Sequence, residues 1–261
     1  MGVLNVTPDS FSDGGLFHDA DAAAARALEL ERVGADLLDI GGESTRPGAA
    51  PVSAEEELRR VLPVLERLRG RLKIPVSIDT QRAAVAEAAA AAGAEIINDV
   101  SALRSDPALA EVARRCKMPV ILMHMRGTPR TMQQGPFARD VLRDVKSGLR
   151  AAVRRARAAG LRKSQLLLDP GIGFGKSFAQ NFELLARFGE LTALGYPLVT
   201  GTSRKRLIGE TLGGAPPDQR VWGTAATVTA AILGGAHIVR VHDVAEMAQV
   251  ARIADAILLA R

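Results

Sequence analysis

Residues 169–177, DPGIGFGKS, hold three glycines, a lysine and a serine at nearly the spacing of a phosphate-binding loop. Such a loop places a glycine ahead of its Gly-Lys pair with four residues between, so that backbone N–H groups curl around a phosphate. Here that place is taken by Pro170, which has no N–H to give and a fixed φ. The phosphate-loop chemistry therefore fails at its first residue. Other polar side chains follow a different rule. Asn5, Asp39, Asp79, Asn98 with Asp99, His124, Asp169, Thr202 to Lys205, and Arg240 with His242 each close a short apolar run. Carboxylates, amides and cations repeated in that position indicate one shared ligand site, because helix capping would account for one or two of them at most.

The elements that must position these residues are legible as eight β-branched or Leu-rich runs: 2–6, 35–41, 75–80, 95–100, 119–124, 166–171, 197–203 and 237–243. Each is followed by an amphipathic helical stretch. Near-continuous apolar strands separated by helices predict a parallel sheet covered on its faces. Eight such units in 261 residues predict an α/β fold of the (β/α)8 TIM-barrel type, with residues 1–261 as a single domain. In that architecture the C-terminal strand ends share one mouth. Asp169 then sits at the mouth and Pro170 stops its strand. The glycines bring the loop close to a ligand, and Ser177 caps the sixth helix. Lys176 reads as a loop charge, so Lys176→Ala is expected to leave activity nearly intact.

The bulk composition is 47% hydrophobic, 24% charged and only 3% aromatic, enough for a large aliphatic core. The formal charge is +5, but most arginines alternate with glutamates along helices. That reads as solvated helix faces rather than a nucleic-acid stripe, and leaves room for a small anionic substrate. The single cysteine, Cys116, excludes an internal disulfide and a cysteine zinc cluster, and is expected to be a buried structural thiol. The start shows no signal peptide. The weakly polar segment 221–239 reads as a packed helix and strand rather than a membrane span. A cytoplasmic protein without membrane or nucleic-acid partners is expected.

Eight stretches, MGVLNVTPDSFSDGG, DIGGESTRPGA, VSIDT, IINDVSA, MHMRGTPRTMQ, LLLDPGIGFGK, GTSRK and RVHDV, together resemble the dihydropteroate synthase family from the first residue to the last strand. The resemblance implies a pterin-binding (β/α)8 barrel. It joins 6-hydroxymethyl-7,8-dihydropterin pyrophosphate to p-aminobenzoate with Mg2+ as cofactor, releasing pyrophosphate in a dissociative, SN1-like order. It implies pterin contacts from Asp79, Asn98, Asp169, Lys205, Met123 and Phe174. It implies pyrophosphate contacts from Asn5, Thr45, Arg46, Arg240 and His242, with Asn5 also on the metal. The p-aminobenzoate wall would be Phe11, Arg46, Pro47, Phe174, Lys205 and Arg206, and the catalytic residues Asp79, Lys205 and Arg46. It also implies a homodimer and a lead-in before MG that this chain lacks.

The residues support that chemistry in part. A pterin edge rich in N–H groups suits carboxylates and an amide at fixed depths, and Arg240 and His242 at i, i+2 share one face of the last strand. Two positions depart from the family pattern: Ile172 stands where an aromatic is expected, and Arg206 where some relatives have serine. His124 is either a satisfied strand-end histidine or a site residue. Met123 and Met125 alternate across their strand, so one of them reads as plain barrel filling. Asp99 is a cap or a ligand contact, Asp13 a turn former or a participant, and His237 lies at the far end of its strand. A pterin-binding methyltransferase needs no pyrophosphate clamp, a lyase would use Lys205 as a Schiff base, and a silent paralogue would only bind.

Overall fold

The computed structural model describes residues 1–7, 16–44, 51–128, 131–132, 134–135 and 137–260. Eight strands run parallel: β1 (Gly2–Asn5), β2 (Leu38–Gly41), β3 (Val76–Asp79), β4 (Ile96–Asp99), β5 (Val120–Met123), β6 (Leu166–Asp169), β7 (Val199–Thr200) and β8 (Ile238–Val239). β1 to β6 pair in sequence order, and β7 pairs with β8. Two further bridges join these sheets, Leu168 to Leu198 and Gly2 to Val241. The hydrogen bonds Leu168 N to Pro197 O, 2.9 Å, and Val3 N to Val241 O, 3.0 Å, run along the same two seams. The eight expected runs are thus all present as a ring, as the family architecture requires. Each strand is shorter than its run: β3, β4 and β5 lose one residue at each end, and β6 stops at Asp169. Pro170 has no N–H to continue β6.

The helices follow in the expected alternation: α1 (Leu16–Arg32), α2 (Ala54–Leu68), α3 (Ala83–Ala91), α4 (Ala108–Arg115), α5 (Val141–Ala158), α6 (Phe178–Ala186), α7 (Arg206–Thr211), α8 (Val221–Leu233) and α9 (Val244–Leu259). α7 is an extra short helix in the loop between β7 and α8. Segment 221–239 is α8 followed by β8, and no described helix is long and apolar enough to cross a membrane. Helix-face arginines pair along their own helices, as in Arg32–Glu29, Arg114–Glu111 and Arg187–Glu183.

The period of two along each strand divides the molecule into two cores. Leu4, Leu38, Ile40, Ile78, Ile97, Leu122, Leu168 and Val241 join one large cluster with the helices. The alternate residues Met1, Leu37, Ile121 and Val199, with Ile96, Leu167 and Ile238 packed against them, form a separate apolar plug. Two residues further along the same face stand Val3, Asp39, Asn98, Met123, Asp169, Gly201 and Arg240. On β2, β4, β6 and β8 this face therefore turns from apolar to polar toward the C-terminal end, so a polar layer lies above the apolar plug.

Close packing at the mouth has a measurable consequence in α5. A Cβ on Gly148 would lie 2.4 Å from His124 Cδ2 at the end of β5. Gly to Ala inside a helix ordinarily stabilises by roughly 0.5–1 kcal/mol. Here Gly148→Ala is expected to destabilise by about 1–3 kcal/mol through overpacking. Denaturant titration of Gly148→Ala with and without His124→Ala checks this: the smaller side chain at position 124 should restore the ordinary sign.

Candidate active site

Asp39 and Asp79 stand on neighbouring strands, and one arginine serves both. Arg240, just beyond β8, donates through Nε to Asp39 Oδ2 at 2.6 Å and through Nη2 to Asp79 Oδ2 at 2.9 Å. Asp39 is fully buried and also accepts from Asn98 Nδ2 at 3.0 Å. That bond spends the donor end of the Asn98 amide and leaves its carbonyl end for something else. Asp39 Oδ1 is buried without a hydrogen-bond partner among the described residues. Burial and the neighbouring Asp39 carboxylate push Asp79 up to about 8, against the pull of Arg240.

On the other side of the mouth, Asp169 is buried and accepts from Gly171 N at 2.6 Å. Burial raises its pKa, with Lys205 opposing. Lys205 caps the start of α7 and donates to the Ile172 carbonyl. Its ammonium lies 4.7 Å from the centroid of the Phe174 ring. Burial lowers Lys205 to about 8, with Asp169 pulling the other way. Phe174 packs on a small apolar cluster of Val100, Met123, Met125 and Met132, so a flat apolar wall adjoins the carboxylates. His242 meets the Ser203 hydroxyl through Nδ1 and through its backbone N–H, each at 3.1 Å. Asn5 ends β1 half-buried.

The structure therefore brings Asn5, Asp79, Asn98, Met123, Asp169, Phe174, Lys205, Arg240 and His242 to one end of the ring. Arg206 stands apart: it is paired with Glu210 at 3.0 Å and stacked 5.3 Å from the Phe178 ring, on the exposed side of α7. Phe11, Asp13, Thr45, Arg46 and Pro47 lie outside the described residues. Asp99 holds a turn, accepting from Ser101 N at 2.7 Å and Leu103 N at 2.5 Å, while Ala102 and Leu103 take positive φ. His124 packs inward at 3.4 Å from Asp144, and burial lowers its pKa. His237 accepts from Leu198 N, at the apolar end of β8. Ile172 is fully buried in the helix-side core, which explains why an aliphatic residue is accommodated there.

Two expectations fail. Cys116 is exposed, because α4 ends at Arg115 and leaves it at the helix exit. Lys176 is 3% exposed, and its ammonium donates to three backbone carbonyls. It is not a loop charge, and burial lowers it to about 7. Ser177 does cap α6, accepting from Gln180 N at 3.2 Å while Gln180 Oε1 accepts from Ser177 N.

Asp39 stood among the polar strand ends read from the sequence, but its pairing with Arg240 and Asn98 and the Arg82 network were not read there. Arg82 bridges Glu43 and the fully buried Glu57 and donates to Val52 O, tying both ends of the 45–50 segment. The signal for Asp39 was its place two residues ahead of the strand end, on the same face as the mouth residues.

The chain matches the family model described as pterin binding enzyme over residues 1–242. A dihydropteroate synthase of Synechocystis sp. is 50% identical over 257 residues, covering 98% of this chain and 89% of the relative. Among solved structures, a Xanthomonas albilineans dihydropteroate synthase with 4-aminobenzoic acid is 49% identical with a TM-score of 0.92, covering 99% of this chain and 92% of that one. A Clostridium difficile dihydropteroate synthase in the presence of pteroic acid is 46% identical with a TM-score of 0.93, covering 98% and 95%.

The raised Asp79 carboxyl sets a stability signature. Its folded pKa of about 8 lies above the ordinary value of 3.8, so between these the folded chain holds a proton that the unfolded chain has released. Stability from this group is therefore lost as pH rises through that window. Tm measured from pH 5 to 9 should fall less steeply for Asp79→Asn than for the parent. Equal slopes would mean that Arg240 keeps Asp79 ionised throughout.

Proposed function

The chain belongs to the pterin-binding enzyme family, and from that premise we propose which of its residues carry each part of the chemistry. Its activity is dihydropteroate synthesis, the transfer of a dihydropterin methylene group to an arylamine. The observation that carries the residue assignment is the convergence of Asp79, Asn98 and Asp169, from three different strands, on one buried polar layer beside Phe174 and Lys205.

Asp79, Asp169 and the free carbonyl end of Asn98 accept the N–H groups along the pterin edge, while Met123 and Phe174 line its faces. The bond from the methylene carbon to the pyrophosphate oxygen breaks first, taking its electron pair to pyrophosphate. The positive charge left behind spreads into the ring, where an ionised Asp79 would stabilise it. Arg240, His242, Asn5, Thr45 and Arg46 hold the departing anion, whose charge grows as the bond breaks. The arylamine nitrogen of p-aminobenzoate then attacks the carbon and loses a proton to solvent. It is held by Lys205, Phe174, Phe11, Arg46 and Pro47.

Asn5 offers one hard oxygen, and the described residues contain no group of three His, Cys, Asp or Glu that could hold a metal. That donor set fits an ion that keeps most of its water and arrives with phosphate oxygens, which is how Mg2+ is commonly bound. Mg2+ bound there would neutralise the leaving pyrophosphate. The clamp of Arg240 and His242 favours this reading over a methyltransferase, which releases no pyrophosphate.

The chain acts as a single-domain cytoplasmic enzyme and as a homodimer. Leu212, Phe178, Phe182 and the 80%-exposed Trp222 support a dimer surface around α6 to α8. Trp222→Glu should convert the dimer to monomer in sedimentation.

A coupled pyrophosphate-release assay with both substrates tests the assignment. Asp169→Asn should weaken pterin binding by roughly tenfold to a hundredfold, the scale of one charge-assisted hydrogen bond, and Lys205→Ala should remove most turnover. Unchanged pterin affinity in Asp169→Asn would take Asp169 out of the site.

A further inference from the structure

Lys176 has no part in the chemistry above, yet it is a buried lysine at the edge of the site. We infer that Lys176 is a positioning residue: by tying the loop after β6 to the exit of β5, it fixes the two groups that hold Lys205 for the arylamine. The second half of this inference rests on the role given to Lys205.

An ammonium withdrawn from water needs a partner for each of its three N–H donors. Lys176 Nζ donates to Gly171 O at 2.8 Å, Phe174 O at 2.9 Å and His124 O at 3.4 Å. All three donors are spent on backbone, so none is left for a ligand phosphate. The acceptors come from two elements that this side chain joins: His124 from the exit of β5, Gly171 and Phe174 from the loop after β6.

The loop is shaped for that grip. Gly171, Gly173 and Gly175 have φ of +67°, +87° and +67°. Alternating positive φ folds the carbonyls of 171 and 174 toward one point. A Cβ on Gly171 would sit 2.0 Å from His124 O, and one on Gly175 would sit 2.7 Å from Arg126 O. The backbone therefore lies directly against the β5 exit, where only glycine fits. From the other side, the buried Asn181 accepts from Gly173 N at 2.6 Å and donates to Ser177 O at 2.8 Å.

Between the two loop anchors lie the groups that matter for Lys205. The Ile172 carbonyl accepts from its ammonium, and the Phe174 ring faces it at 4.7 Å. Residues 171 and 174 are pinned by Lys176; residues 172 and 174 hold Lys205. Releasing the first pair frees the second. The Asp169 contact to Gly171 N is shorter and local, so the pterin side of the site should feel the loss less.

The test uses Lys176→Met, which keeps the stem and removes the three donors. The chain has six lysines, few enough for each ε-methylene to be followed by NMR in the full enzyme labelled with 13C-lysine. In the parent, the Lys205 signal should be displaced by the Phe174 ring, an assignment that Phe174→Leu confirms by removing the displacement. In Lys176→Met that displacement should vanish. KM for p-aminobenzoate should rise about tenfold while pterin affinity stays within about twofold, the contrast expected when one contact is lost and its neighbour kept.

An unmoved Lys205 signal would overturn the inference. So would a uniform shift of the other lysines together with pterin affinity, which marks general loosening. If the Lys205 signal moves while neither KM changes, the link from Lys176 to Lys205 stands and the assignment of Lys205 to the arylamine falls. Should Lys176→Met fail to fold, Lys176→Gln keeps two N–H donors and should give the same changes at smaller amplitude.

Discussion

One guanidinium holds the site together. Arg240 reaches from β8 to β2 and β3, across 201 and 161 residues of sequence, and pairs with two buried carboxylates. Burying any one of these charges alone would be costly, and the attraction offsets that cost only when geometry and further hydrogen bonds are good. The bond to Asn98 and the apolar plug beneath supply both conditions. Without Arg240, burial and the Asp39 carboxylate would push Asp79 further toward its protonated form, with the opposing pull of the guanidinium gone. The ring can therefore close over a polar layer only with its last strand in register, since β8 carries the cation and β2 and β3 the anions.

The opposite half of the mouth is built differently. Asp169, Lys205 and Lys176 are held chiefly by backbone groups of the glycine loop and by one aromatic ring rather than by matched side-chain ion pairs. A carbonyl cage fixes position without adding a formal charge, so Asp169 and Lys205 remain able to answer to a ligand. The rigid ion chain and the backbone cage divide the labour: one sets the depth of the pocket, the other the height of its rim.

Much of this was legible in the sequence because strand ends obey a local rule. A near-continuous apolar run that ends in polar residues announces both a strand and its mouth, and all eight runs proved to contain strands. The capping serine at 177 was legible for the same local reason. Lys176 was not. Its acceptors include a carbonyl 52 residues away, and backbone acceptors leave no trace in residue types. Cys116 misled because thiols are usually buried, whereas the end of α4 sets its exposure. Asp39 stood in view but two residues short of the strand end, where pattern alone does not separate a ligand contact from a support.

The pairing of Arg240 with Asp79 also constrains how the site can fill. A pterin that donates to Asp79 competes with the guanidinium already there. A pyrophosphate near β8 offers Arg240 another anion. On the proposed assignment, each substrate part supplies what the other part displaces: the pterin edge would satisfy Asp79, and the phosphate would satisfy Arg240. Joined in one molecule, they can exchange the internal ion pair for two ligand contacts without leaving a buried charge unpaired. Asp39 stays behind as the fixed partner of Arg240 and Asn98, so the exchange pivots on Nε while Nη2 changes company. On the same assignment, Arg240 would return to Asp79 only after pyrophosphate has left, and the empty site would again be neutralised from within.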